Sequence, residues 1–303
     1  MSEILRKYKK LFAIAVCAMF VWVSGVVVVS GLQMAYATPP SNQDERAVQA
    51  FLLQLENPDL PHDPVTNLTN ADKLNIDAND MRTWGQFFTF NISRRLTHVE
   101  RRIGNSGTAI FIDLHGKVYF PGCTSLVRIM MSSVLLTEID VSTNTSLTLL
   151  SISGSFEELD VSNNPALTEI RIYASKLINF NVSNKSALSS ISVVSSNMQT
   201  FDISNNPTLT YLDVGSGSLQ PSNLNVSNNP ALIYMSIFCD TLETFDVSSN
   251  LALESLWITG GKFSSFDVSN HPALRSLNIS NSDLEFLDVS GAVALEFLSI
   301  ITQ

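Results

Sequence analysis

The sequence predicts a β-rich solenoid of strand–turn–strand coils with a small helical or mixed N-terminal cap. Three observations carry that expectation. The words LDVSNNPAL, from Leu159 to Leu167, return in seven variants, eight copies in all, down the 303-residue chain, among them IDVSTNTSL, FDISNNPTL and LDVSGAVAL. Their starts at Asp140, Asp160, Asn181, Asp202, Asn225, Asp246, Asp267 and Asp288 lie 20, 21, 21, 23, 21, 21 and 21 residues apart, and a fixed period of this size marks a stacked repeat. Within one unit, Phe201, Ile203, Leu209, Leu212, Val214 and Leu219 form F-x-I and L-x-x-L-x-V segments, which alternate as strands packed on one face do.

The chain opens differently. MSEILRKYKK carries four basic residues, and Leu11 to Leu32 follows without a charge. Ala35-Tyr36-Ala37 then offers a small-x-small cleavage site, so residues 1–37 read as a secretory signal. The apolar stretch is also long enough to span a bilayer, for which about 20 residues suffice, and an uncleaved anchor stays open. Both versions export the body of the chain, with the basic end inside.

Residues 38–117 read as the cap, since a solenoid must cover the first exposed edge of its core. Asp44 is an N-cap candidate for a helix whose apolar face is Val48, Phe51, Leu52 and Leu55. A polar loop with Pro58, Pro61 and Pro64 follows, then a second helix expected around Trp84 to Phe90. AIFIDL (Ala109 to Leu114) alternates as a strand and is expected to start the stack.

Residues 118–303 hold about eight to nine coils. LTEIRIYASKL (Leu167 to Leu177) and LRSLNISNSDL (Leu274 to Leu284) resemble the leucine-rich repeat signature L-x-x-L-x-L-x-x-N-x-L, with Ser175 and Ser282 in place of asparagine. The 21-residue LDVSxNxxL unit is most similar to internalin-like repeats of bacterial surface proteins. That resemblance implies a curved, right-handed solenoid that serves as a binding scaffold, and it names no ligand. Internalin-like units often place cysteine in the repeat core, where this chain has Ile152, Ile172, Val193, Val214, Ile237, Ile258, Ile279 and Ile300. The chain ends at LSIITQ inside its last unit, which leaves a final coil bare, covered by a partner or cut short.

Charge and chemistry narrow the function. Without residues 1–37 the chain has 14 basic and 27 acidic residues, a surface that repels nucleic acid and anionic lipid. The one basic cluster (Arg94, Arg95, Arg101 and Arg102) is expected to decorate a solvated helix face. Cys123 and Cys239 lie five coils apart, about 25 Å at one strand spacing per coil, too far for a disulfide. The aspartate row offers calcium a line of carboxylates, but Asn181 and Asn225 interrupt it. A position open to both residues points instead to hydrogen bonding of an Asx type. The asparagine row Asn144, Asn164, Asn206, Asn229 and Asn250 is expected to satisfy turn backbone, with breaks at Lys185, His271 and Ala292. No nucleophile, phosphate-loop or metalloprotease motif occurs, so no catalytic, cofactor or metal residue is assigned.

Variation between copies is concentrated in the L-x-x-L-x-I segment, whose outward positions change from coil to coil. Aromatic residues there, Tyr173, Tyr211, Tyr234, Phe238 and Trp257, are the expected ligand-binding residues. The 23-residue unit, with its SGSLQPSN insertion around Pro221, is expected to bulge beside them. The expected function is thus an exported, non-catalytic scaffold for a protein or glycan, and the alternative is a structural envelope spacer that self-associates end to end. Membrane contact is expected only through the N-terminal segment.

Overall fold

The computed structural model describes residues 42–54, 69–74, 78, 84, 86–90, 93, 95–103, 106–108, 110–111, 114–219, 224–280 and 283–301. Residues 1–37, expected to be a signal or anchor, Leu55 with the proline loop, and residues 220–223 of the insertion around Pro221 lie outside the described residues. None of the described helices is long and apolar enough to cross a membrane.

Among the described residues two helices precede the repeats, α1 (Gln43–Leu52) and α2 (Asn70–Leu74). Val48, Phe51 and Leu52 are the buried face of α1, as their spacing predicts. The cap residue is Asn42, not Asp44: the Asn42 side chain accepts from the Glu45 N–H at 2.9 Å, and the Glu45 carboxylate takes the Asn42 N–H in return. Asp44 sits in the first turn and is buried. Its carboxylate accepts from Arg95 Nε at 3.0 Å and from the Leu96 N–H at 2.8 Å, which docks the helix on the first strands. Gln54 adds a second clamp, accepting from the Lys117 N–H and donating to the Lys117 carbonyl.

Strands β1 (Phe88–Phe90), β2 (Leu96–Val99), β3 (Arg101–Ile103), β4 (Ser106–Thr108) and β5 (Ile110–Phe111) complete the cap. The helix expected at Trp84 to Phe90 is therefore a 3₁₀ turn leading into a strand. Phe88 packs edge-on against Trp84 and Phe120, and this aromatic cluster favours an extended chain across the core end. Of the arginine cluster, Arg95, Arg101 and Arg102 likewise fall on or beside strands, not on a helix, and Arg94 lies outside the described residues.

The repeats contribute β6 (Gly116–Tyr119), β7 (Arg128–Ser132), β8 (Leu136–Asp140), β9 (Leu149–Gly154), β10 (Glu169–Ala174), β11 (Asn179–Asn181), β12 (Ser190–Val194) and β13 (Thr200–Asp202). They continue as β14 (Tyr211–Gly215), β15 (Leu224–Asn225), β16 (Tyr234–Phe238), β17 (Ser255–Thr259), β18 (Ser265–Asp267), β19 (Ser276–Ser280), β20 (Phe286–Asp288) and β21 (Phe297–Ile301). The chain forms a β-solenoid. Its main sheet runs β1-β2-β7-β9-β10-β12-β14-β16-β17-β19-β21, with all pairs from β7 onward parallel and in register. The strand that leads the stack is β2, parallel to β7, while β5 from AIFIDL pairs only the far end of β7.

Register turns the repeat into a core. Ile152, Ile172, Val193, Val214, Ile237, Ile258 and Ile279 stack in one buried column that ends at the exposed Ile300. Each buried Leu, Ile, Val or Phe contributes about 1.5–3 kcal/mol of transfer free energy. Cys123 and Cys239 are buried and free, five strand positions apart along the sheet. Burial pushes the Cys123 thiol up to about 12.

The second side of the coil is less regular than the repeat predicts. Its strands form three short sheets, β6-β8, β11-β13-β15 and β18-β20. No strand forms at Leu159–Asp160 or at Thr244–Asp246. The first gap ends the 20-residue interval, and the second follows the 23-residue one. Length alone does not set the gaps: across the 23-residue interval the ladder holds on both sides, with Phe201 paired to Leu224 and Tyr211 to Tyr234.

The polar motif closes each coil. In all eight copies the side-chain oxygen of Asp or Asn accepts the N–H of the serine two residues on, at 2.7 to 3.1 Å: Asp140, Asp160, Asn181, Asp202, Asn225, Asp246, Asp267 and Asp288. Both residue types supply that acceptor, which explains their exchange. The asparagines below are fully buried and bond backward along the stack or, at Asn206, to their own turn. Asn164 Nδ2 donates to the Val141 and Asn144 carbonyls, and Asn250 Nδ2 to those of Val226 and Asn229.

At two of the expected breaks the row continues through other chemistry. Lys185, 6% exposed, sends Nζ to the Val161 carbonyl at 2.7 Å, and His271 places Nε2 3.0 Å from the Val247 carbonyl. Three consecutive coils also turn differently. Asn184, Asn205 and Asn228 have φ of 59°, 60° and 57°, a left-handed conformation that asparagine tolerates. There the N–H of Lys185 bonds Asn206 Oδ1 and that of Asn206 bonds Asn229 Oδ1, one coil ahead.

Asn206→Ala strips donors from the Ile203 and Ser204 carbonyls and the acceptor from the Lys185 N–H. Urea unfolding is expected to show a loss of about 2–4 kcal/mol, given about 1–3 kcal/mol for each buried group left unpaired. Asp202→Asn, by contrast, is expected to stay within about 0.5 kcal/mol. Burial holds the Lys185 ammonium below its usual range, with the Asp160 carboxylate partly opposing. The unfolded chain then binds the proton more tightly, so stability rises with pH between the folded pKa and the ordinary value near 10.5. Lys185→Asn is expected to flatten that slope in thermal melts across alkaline pH.

Candidate functional site

Outward positions of the main sheet form three rows, because parallel in-register pairing puts equivalent residues side by side. The first row reads Glu169, Ser190, Tyr211, Tyr234, Ser255, Ser276 and Phe297. The second reads Arg171, Ser192, Asp213, Ser236, Trp257, Asn278 and Ser299, and the third Tyr173, Val194, Gly215, Phe238, Thr259, Ser280 and Ile301. Inward alternates are core leucine, isoleucine, valine and methionine, so the outward ones are free of packing duty.

Four of the five aromatic positions come together. Tyr211 and Tyr234 are direct partners across β14 and β16, and their rings stack at 4.8 Å between centroids and 5° between planes. Phe238 lies at the other end of β16, 48% exposed, and Trp257 lies on β17 opposite Ser236, 43% exposed. The indole Nε1 donates to Ser255 Oγ at 3.0 Å, which fixes the ring on the sheet surface. Tyr173 does not join them: it sits on β10, three strands from β16, with Val194 and Gly215 between. That separation is about 14 Å at one strand spacing each.

Two neighbours escaped the search for aromatics. Val194 is exposed on β12, and Gly215 leaves the third row without a side chain between Val194 and Phe238. Alternation from buried Val193 would have found Val194, while the gap at Gly215 emerges only from register. Polar residues frame the rings: Ser192 Oγ donates to Asp213 Oδ2 at 3.0 Å, and Arg171 pairs with Glu169 on β10. Burial first, then the Asp213 carboxylate and the Tyr234 ring, raise the Tyr211 phenol above its usual range.

This face holds nothing built for bond-breaking chemistry. Around the rings its donors and acceptors are serines, Thr259, Asn278, Asp213, the Trp257 indole and phenol groups, with the Arg171–Glu169 ion pair at one side and no nucleophile beside a general base among the described residues. No group of three or more His, Cys, Asp or Glu among the described residues is placed to hold a metal ion. His62 lies outside the described residues, and His115 is tied to the cap through Nε2 and the Gln54 carbonyl.

Rows of variable side chains on the parallel sheet, with an asparagine row at the turns, define a β-solenoid of stacked leucine-bearing coils. No protein-family model matches the chain, and no curated protein sequence matches it. Among solved structures it is similar to the functional domain of InlJ from Listeria monocytogenes, which includes a cysteine ladder, at 20% identity and a TM-score of 0.39. That match covers 60% of this chain and 55% of that one. It is also similar to the leucine-rich repeat domain of APL1B, at 16% identity and a TM-score of 0.42, covering 60% of this chain and 57% of that one. The chain spans little more than half the length of either structure.

The tyrosine stack makes its own prediction. Spectrophotometric titration of Tyr211 is expected to give an ionisation above 10, and Asp213→Asn and Tyr234→Ala are each expected to shift it down.

Proposed function

We propose that the chain is an exported, non-catalytic binding scaffold that recognises a protein or glycan through the aromatic face on β14, β16 and β17. One observation carries this reading: the stacked Tyr211–Tyr234 pair with Phe238 and Trp257 on adjoining strands, at positions the core does not need. Rigid aromatic rings give large contact area at small entropic cost, which is why they recur as binding hot spots. Tyr173, set apart on β10, would touch only a ligand that reaches across three strands. The basic leader, the apolar stretch and the Ala35-Tyr36-Ala37 site support export. Acidic excess over the repeats disfavours nucleic acid as a partner.

A second reading is end-to-end association through β21. Leu298 and Ile300 are 47% and 42% exposed, whereas Leu277 and Ile279, their partners on β19, are 0% exposed. A second copy pairing with β21 would cover them.

Two experiments test these readings. Binding of the full chain to a glycan array and a surface-protein panel should fall at least tenfold in Tyr234→Ala and Trp257→Ala, about 1.4 kcal/mol or more, with unchanged circular dichroism. Binding that survives both substitutions would remove the aromatic face from consideration. Sedimentation across a concentration series addresses the second reading, and a strictly monomeric chain would end it.

A further inference from the structure

The aromatic face has a centre at Ser236. On β16 Tyr234, Ser236 and Phe238 share the outward side, with Met235 and Ile237 buried between them. Across the sheet Ser236 is the direct partner of Asp213 on β14 and of Trp257 on β17. A small side chain is thus ringed on its four sides by Tyr234, Phe238, Trp257 and Asp213, which makes a shallow cup with a serine floor. Strand geometry sets the Cα atoms of Asp213 and Trp257 about 10 Å apart across the cup, and those of Tyr234 and Phe238 about 13 Å apart along it.

Two of the walls are held in place. Tyr211 stacks on Tyr234 with planes 5° apart, so one face of the Tyr234 ring is taken and the other turns toward β17. On β17 the Trp257 indole is tied to Ser255, which is the direct partner of Tyr234. Rings already fixed lose little entropy when a ligand settles on them.

Charge decides what the cup favours. From β10 to β21 the strands of the main sheet carry three charged residues, Glu169, Arg171 and Asp213. Glu169 and Arg171 pair with each other, which leaves Asp213 as the uncompensated charge on those strands. Its Oδ2 accepts from Ser192 Oγ, a neutral donor that leaves the negative charge in place. The Tyr211 phenol, raised first by burial and then by this carboxylate, responds to the same field. Aromatic faces are negative as well, and they attract a cation within about 6 Å of the ring centroid. A neutral ligand would gain from the rings but not from the charge of Asp213. A headgroup that carries a phosphate would bring that phosphate up to the carboxylate. A basic protein partner meets neither objection, and it suits a chain that has 27 acidic and 14 basic residues outside positions 1–37.

We infer that the cup over Ser236 takes the alkylammonium group of a partner protein's lysine, held against the Tyr234, Phe238 and Trp257 rings and beside the Asp213 carboxylate. This specificity rests on the aromatic face being the binding surface proposed above.

The repeat supplies substitutions that spare the fold. In the same outward row, asparagine stands at Asn278 and methionine at Met130. The full chain is titrated with acetyl-Gly-Lys-Gly-amide and followed by the Trp257 indole N–H resonance, which Trp257→Phe identifies. The control is the same peptide acetylated on the lysine Nζ, which removes the charge. The free amine is expected to bind at least tenfold more tightly than the control. Asp213→Asn is expected to weaken it at least threefold, and Ser236→Met, which fills the cup, at least tenfold, with melting temperature unchanged within a few degrees. No response to the lysine peptide, equal response to both peptides, or lysine binding indifferent to Asp213→Asn and Ser236→Met would overturn the inference. So would an uncharged oligosaccharide that requires Tyr234 and Trp257 while the lysine peptide fails to bind, a result that leaves the proposed face standing. Ligands of every kind that ignore Tyr234→Ala and Trp257→Ala would remove the face itself.

Discussion

The turn amides and carbonyls buried on one side of every coil are the constraint on which the rest depends. A solenoid turns the chain inward twice per coil, so it buries backbone groups that have no strand partner. Each left unpaired costs about 1–3 kcal/mol, a sum that eight coils could not carry. Asn144, Asn164, Asn206, Asn229 and Asn250 meet that demand by reaching from one coil to its neighbour or to its own turn. The leucine core sets how far apart the coils stand; the asparagine row sets how they are joined.

Lys185 and His271 show what this demand requires chemically. Neither shares the shape of asparagine, yet each brings a donor to the carbonyl of the preceding coil. What is common is an N–H at the end of a side chain that fits the interior. The substitutes differ in what they bring along. Lysine imports a charge that burial disfavours, and histidine imports a second ring nitrogen for which the ladder has no partner.

Much of the fold was legible because the repeat states it eight times. The period gave the stack, alternation gave the buried column ending at Ile279, and exchange of aspartate for asparagine gave the contact to serine. The cap was read less well, since it occurs once: Phe88 to Phe90 is a short apolar run, and helix and strand cannot be separated by periodicity at that length. Asp44 looked like a helix cap because its type is right, but its burial beside Arg95 and Leu96 is a tertiary fact. On the sheet face, Tyr211 and Tyr234 were legible as neighbours from equal positions in successive units. The distance of Tyr173 was legible too, by counting coils. The gap at Leu159–Asp160 was foreshadowed only by the interval of 20, and the one at Thr244–Asp246, which closes an ordinary interval of 21, by none.

Those gaps bear on how the protein comes apart. In a linear array each coil is held only by its neighbours, so cooperativity passes through every interface in turn. Across the second gap the main sheet remains continuous, while the other side lacks the ladder that binds β18 to β20. A chain joined along one side only resists separation less than one joined along both. The coils before and after Thr244–Asp246 thus approximate two unfolding units that share a hinge of sheet, and a single melting temperature need not describe them both.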